Sequence, residues 1–216
     1  MTKKLFIFDL DGTLVDAYAA IISSFNFTMR VLGIPTQSEL TIKKAVGWGD
    51  RKLLEPFVRF RELKKALGVY QRHHRQALKT KTHWLPAAQE LLRCLKKRGK
   101  KLAIASNRPA RFTKIILKSL DASKFFDKVL CADQLRFGKP NPLILHKLIK
   151  VFGVSKQDVL YVGDMVIDVQ TGKRAGVATA AVSTGSGTPS ELKKAKPTYL
   201  FKDLAALKSE CQRGEL

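Results

Sequence analysis

Lys4-Leu-Phe-Ile-Phe-Asp-Leu-Asp-Gly-Thr-Leu-Val-Asp16 is the stretch from which the rest of the chain can be read. Leu5–Phe8 is an unbroken apolar run, of the length expected for a strand buried on both faces of a parallel sheet. Two carboxylates, Asp9 and Asp11, follow where that strand should end, then Gly12 for a tight turn and Thr13 with a hydroxyl and a backbone N–H. In open α/β sheets the ligand site lies beyond the carboxyl ends of the strands. Acids one residue apart repel each other at close range, and a cation removes that cost. Mg²⁺, which prefers carboxylate oxygens, is the cation such a pair suits.

The surrounding composition fits one sizeable core. The chain has 216 residues, 45% of them hydrophobic, enough for a core plus a small second domain. No apolar run is long enough for a membrane span, and Asp9 and Asp11 interrupt any N-terminal secretory h-region. Cys94, Cys131 and Cys211 have neither zinc-site spacing nor a disulfide framework, so a reducing cytoplasm is expected. The net charge of +22 makes nucleic acid a rival partner. The cations are spread from Lys3 to Arg213, however, and no nucleic-acid-binding motif stands out, so a generally basic surface is favoured. Oligomeric state is left at monomer or homodimer.

Residues 17–81 read as helices. An apolar helical face from Ile21 to Leu32 stops at Gly33 and Pro35, and Leu40–Val46 is a second helix. Gly47–Lys52 reads as a loop into a helix over Leu53–Phe60, and Phe60–Leu78 as a helix rich in Lys, Arg and His. No strand signal is seen there, so this block is a helical lid inserted after the first strand. From Pro86 onward, helical patterns alternate with strands at Leu102–Ala105, Val129–Cys131, Val159–Val162, Thr179–Val182 and Tyr199–Leu200. That alternation indicates parallel βαβ units. The expected fold is a Rossmann-like, doubly wound α/β core over 1–16 and 82–216, with a small all-helical cap over 17–81.

Four chemistry-bearing stretches sit just past a strand or at a helix entry: Asp9/Asp11, Ser106/Asn107, Lys139 and Asp164/Asp168. A parallel sheet gathers such places on one edge. Together they offer what phosphoryl transfer needs: a nucleophile, a metal site, cations for the phosphoryl oxygens and a proton shuttle.

The series Asp-x-Asp-Gly-Thr, a Ser after the next core strand, Gly-Lys-Pro and Gly-Asp-x-x-x-Asp resembles the motif set of the haloacid dehalogenase superfamily. The inserted helices match that family's cap in position and length. The resemblance implies Asp9 as nucleophile, forming an aspartyl-phosphate, and Asp11 as acid and then base. It implies Ser106 and Lys139 on the phosphoryl oxygens, with backbone donors from Gly12, Thr13 and Asn107. Mg²⁺ would be held by Asp9, Asp164 and the backbone carbonyl of Asp11, with Asp168 orienting that shell. Arg108, beside Ser106 and Asn107, is expected to be solvated.

Core length, cap position and Lys139-Pro-Asn-Pro142 resemble the phosphoglycolate phosphatase branch, so the expected substrate is a small phosphate monoester such as phosphoglycolate. A β-phosphoglucomutase-like mutase uses the same Asp pair and is the alternative. Phosphonate hydrolases share the cap, but no cap lysine here is matched to their Schiff-base lysine. A polyanion-binding protein on the same fold is the non-enzymatic rival. Trp48 and Arg51 are the expected cap contacts to the leaving group, with Arg51 placed to hold a second substrate anion.

Overall fold

A computed structural model describes residues 3–214 and 216. The core sheet is formed by β1 (Leu5–Phe8), β4 (Lys101–Ser106), β5 (Lys128–Cys131), β6 (Val159–Gly163), β7 (Ala178–Val182) and β8 (Tyr199–Phe201). All pairings in it are parallel, in the order β5-β4-β1-β6-β7-β8. Successive strand side chains point to opposite faces, and β1 shows the consequence. Phe6 and Phe8 pack on one face with Leu91, Phe112 and Leu204, which belong to α5 (Ala88–Lys97), α6 (Ala110–Ser119) and α10 (Leu204–Arg213). Leu5 and Ile7 pack on the other with Leu145 of α7 (Leu143–Phe152) and Ala175 of α8 (Val166–Ala175). All four residues of β1 are therefore buried, as its apolar run requires. The chain adds β4 and β5 on one side of β1 and then crosses to add β6 on the other, so the strand order reverses at β1. That is where open α/β sheets place their ligand.

Between the first strand and the rest of the sheet lie α1 (Tyr18–Val31), α2 (Glu39–Ala45), α3 (Asp50–Leu54) and α4 (Leu63–Thr80). They close on a hydrophobic cluster of their own that includes Phe25, Met29, Ile42, Leu54 and Tyr70. Two departures from the sequence reading occur here. The helix expected over Leu53–Phe60 is α3, which begins at Asp50 and ends at Leu54, with 3₁₀ turns at Glu55–Phe57 and Phe60–Glu62. Pro56 lacks the N–H that would continue the α-helix. The other lies at the edges of the block, whose residues 17–81 hold no strand: an unforeseen two-stranded antiparallel ribbon, β2 (Val15–Asp16) with β3 (His83–Trp84), forms where the chain leaves and re-enters the core. A further helix absent from that reading, α9 (Pro189–Ala195), carries a local start signal: Thr188 as cap, Pro189 at the first turn and Glu191 returning the bond.

Candidate active site

The carboxyl ends of β1, β4 and β6 bring Asp9, Ser106 and Asp164 together, and the loop before α7 adds Lys139. Asp9, Ser106, Lys139, Asp164 and Asp168 are all buried. Lys139 Nζ lies 2.9 Å from Asp9 Oδ1 and 2.7 Å from Asp168 Oδ1. Asp168 is fully engaged: Oδ1 also accepts from the Tyr161 hydroxyl at 2.8 Å, and Oδ2 accepts from the Met165 N–H at 3.1 Å. Its place is to aim Lys139 and to cap α8. Burial works against a charged Lys139, yet Asp168 and Asp9 together hold it protonated above the ordinary lysine range.

Asp9, Asp164 and Asp168 can each bring one carboxylate oxygen within 4.8 Å of the others. Burial is the main force raising Asp9 and Asp164 above the usual carboxylate range; at Asp9 it acts against the pull of Lys139, and at Asp164 it is reinforced by Asp168 and Asp9. Such crowding suits a bound divalent cation, which lets buried carboxylates stay ionised. The Tyr18 hydroxyl and Ser186 Oγ lie near Asp164, are buried and make no well-formed hydrogen bond. Unmet polar atoms beside an acid cluster fit a hydrated metal ion. Around Asp164 the space is tight. Thr13 Oγ1 donates to Oδ1 at 2.8 Å and the Ser186 N–H to Oδ2 at 3.1 Å. A Cβ on Gly12, whose φ is +76°, would stand 2.6 Å from Asp164 Oδ2.

Several expected roles change in detail. The Gly12 N–H is spent on the carbonyl of Val15 at 2.8 Å, so it is no phosphate donor; Gly12 serves the turn and the close approach to Asp164. The Asn107 side chain staples the inserted helices to the core: Nδ2 donates to the Gly47 carbonyl at 2.9 Å, and Oδ1 accepts from the Lys139 N–H at 2.8 Å. Arg51 is turned to solvent with its side chain 60% exposed, beside Glu55. Trp48 is 48% exposed and lines an outer groove with Gln170 and Thr188 rather than the cavity over Asp9.

The largest correction is Arg108, which is 8% exposed rather than solvated. Its Nε and Nη2 grip both oxygens of Asp11 at 2.7 and 2.9 Å. Its Nη1 lies 2.7 Å from His74 Nε2 on α4. A guanidinium only donates, so His74 Nε2 must accept and Nδ1 must carry the proton. That proton faces Ser24 Oγ at 3.1 Å, and Ser24 in turn donates to the carbonyl of Ala20 at 2.7 Å. A buried polar chain thus runs from α1 through α4 to Asp11. Sequence reading took Arg108 for a solvated residue and did not single out His74, because both look like ordinary members of a very basic chain.

Above Asp9 and Asp11 is a cavity of about 50 Å³, roofed by Ile21, Val46, Asp50, Leu53 and Tyr70. Asp50 was also missed. Burial raises its carboxyl above the usual range, with Arg108 and the Gln71 hydrogen bond opposing.

The family model of haloacid dehalogenase-like hydrolases matches residues 6–182. A phosphoglycolate phosphatase from Aquifex aeolicus is 32% identical over 84% of this chain and 85% of its own length. Another from Psychrobacter arcticus is 31% identical over 96% and 95%. The crystal structure of a predicted phosphoglycolate phosphatase from Haemophilus somnus superposes with a TM-score of 0.91 at 24% identity, covering 100% of this chain and 99% of that one. With the acid cluster, the lysine bridge and the parallel sheet already in place, these matches lead to one conclusion: the chain belongs to the haloacid dehalogenase-like hydrolase family.

Proposed function

We propose that this enzyme is a Mg²⁺-dependent phosphatase that hydrolyses a small phosphate monoester through an aspartyl-phosphate. The observation that carries the reading is Lys139 bridging Asp9 and Asp168, next to a cluster of buried acids at the reversal point of the sheet. An Asp9 oxygen attacks phosphorus, the P–O bond to the leaving group breaks, and the Asp11 carboxyl gives its proton to the departing oxygen. Water then attacks the phosphorus of the aspartyl-phosphate, Asp11 takes a proton from that water, and inorganic phosphate leaves with Asp9 restored.

Lys139 offsets the charge around Asp9. Ser106 Oγ accepts from the Arg108 N–H at 3.2 Å, which leaves its own hydrogen for a phosphoryl oxygen. Arg108 fixes the plane of the Asp11 carboxylate. Asp9, Asp164 and the backbone carbonyl of Asp11 would hold Mg²⁺, which when bound lessens the repulsion between a phosphate dianion and the Asp9 carboxylate. The inserted helices act as a cap that excludes water and meets the leaving group.

The relatives' names put phosphoglycolate first among substrates to assay. The test is a panel of phosphate esters with Mg²⁺, using Asp9→Asn as the blank, and rapid quench of Asp11→Asn. Turnover should vanish in the first variant and phosphate should accumulate on Asp9 in the second. Retention of more than a few per cent of activity by Asp9→Asn would remove the nucleophile assignment.

A further inference from the structure

The cap faces the reaction with an acid, not a base. Asp50 is the carboxylate that the cap places in the lining of the cavity over Asp9 and Asp11, beside the Tyr70 phenol, while its neighbour Arg51 and then Lys52 lie beside Glu55 on the outside. Only Oδ2 of Asp50 has a hydrogen bond among the described residues, a long one of 3.3 Å from Gln71 Nε2. Oδ1 is left as an open acceptor. Around the same cavity both cations are already committed, Lys139 to Asp9 and Asp168 and Arg108 to Asp11 and His74. A substrate with a second anion would have to break the Arg108–Asp11 pair or sit against Asp50. Like charges in a desolvated site repel strongly, whereas a hydroxyl or ammonium hydrogen gives Asp50 a partner.

Resting on the phosphatase reading above, we infer that Asp50 is a specificity-determining residue. It selects esters whose leaving group carries a hydroxyl or amine, over esters that carry a second anion.

Kinetics with Mg²⁺ on four esters test this: para-nitrophenyl phosphate, phosphoglycolate, glycerol 1-phosphate and phosphoethanolamine. The wild type should show kcat/KM at least tenfold higher on glycerol 1-phosphate or phosphoethanolamine than on phosphoglycolate. Asp50→Asn keeps the shape and removes the charge; it should cut the phosphoethanolamine to phosphoglycolate ratio at least tenfold, a ratio in which any change common to all esters cancels. Para-nitrophenyl phosphate has no donor on its leaving group, so turnover of it, at whatever rate, shows that the variant is folded with a working phosphoryl site. Phosphoglycolate as the best of the three metabolite esters in the wild type overturns the inference, whatever the variant does. A ratio unchanged by Asp50→Asn also overturns it. Failure of the wild type on all four esters instead refutes the phosphatase reading itself, and the inference falls with it.

Discussion

Acid should destabilise this protein through His74, by an amount the structure allows to be worked out. His74 is fully buried, and its Nε2 already accepts from Arg108. Desolvation, and then the Arg108 charge, depress it from the ordinary histidine value to about 2. A second proton on the ring would aim a donor at a donor, so the folded protein keeps His74 neutral. The unfolded chain protonates it near pH 6.5. Between those values the unfolded state binds one more proton than the folded state, so stability falls as pH falls. The loss begins near pH 6.5 and grows by about 1.4 kcal/mol per pH unit; two units below, at pH 4.5, it reaches about 2.7 kcal/mol. The active-site carboxylates also titrate, so the measurement is a difference. Urea unfolding of the wild type and of His74→Gln would be followed from pH 7.5 to 4.5. The variant starts less stable at pH 7.5, because Arg108 loses its partner's geometry, but the two curves should converge by about 2–3 kcal/mol on acidification. Curves that stay parallel across that range would falsify the neutral, accepting His74 and with it the tautomer assigned above.

Arg108→Met removes one partner of a buried ion pair and should cost about 3 kcal/mol of stability by denaturation. It should also lower kcat more for poor leaving groups than for para-nitrophenyl phosphate, because a loose Asp11 matters most where the departing oxygen needs a proton; equal losses would make Arg108 purely structural. Arg51→Ala should change kcat/KM less than about twofold on any ester, since an exposed ion pair contributes little; a tenfold loss on phosphoglycolate would restore the sequence expectation. Gly185→Ala places a Cβ where it overlaps Asp164 Oδ2. Mg²⁺ affinity by calorimetry should drop at least tenfold, about 1.4 kcal/mol, and unchanged affinity would take Asp164 out of the metal site.

The sequence by itself determined the sheet, because a doubly buried strand must be an apolar run and Leu5–Phe8 is one. It also determined which carboxylates, serine and lysine would meet, since a parallel sheet collects its strand ends on one edge whatever the side chains beyond them do. It could not say which of its many cations are buried. Arg108 and His74 are charged or basic residues whose burial is tolerable only because Asp11, Ser24 and each other complete their hydrogen bonds, and those partners are distant in the chain. Nor could it orient the cap. Reading 47–52 as a loop put Arg51 against the leaving group and gave Asp50 no role, whereas α3 starts at Asp50 and turns consecutive residues about 100° apart, one toward the cavity and the next toward solvent. Where β-strand periodicity and motif order decide, local sequence suffices; where a side chain's direction depends on a helix start and on partners in other elements, only the folded chain decides.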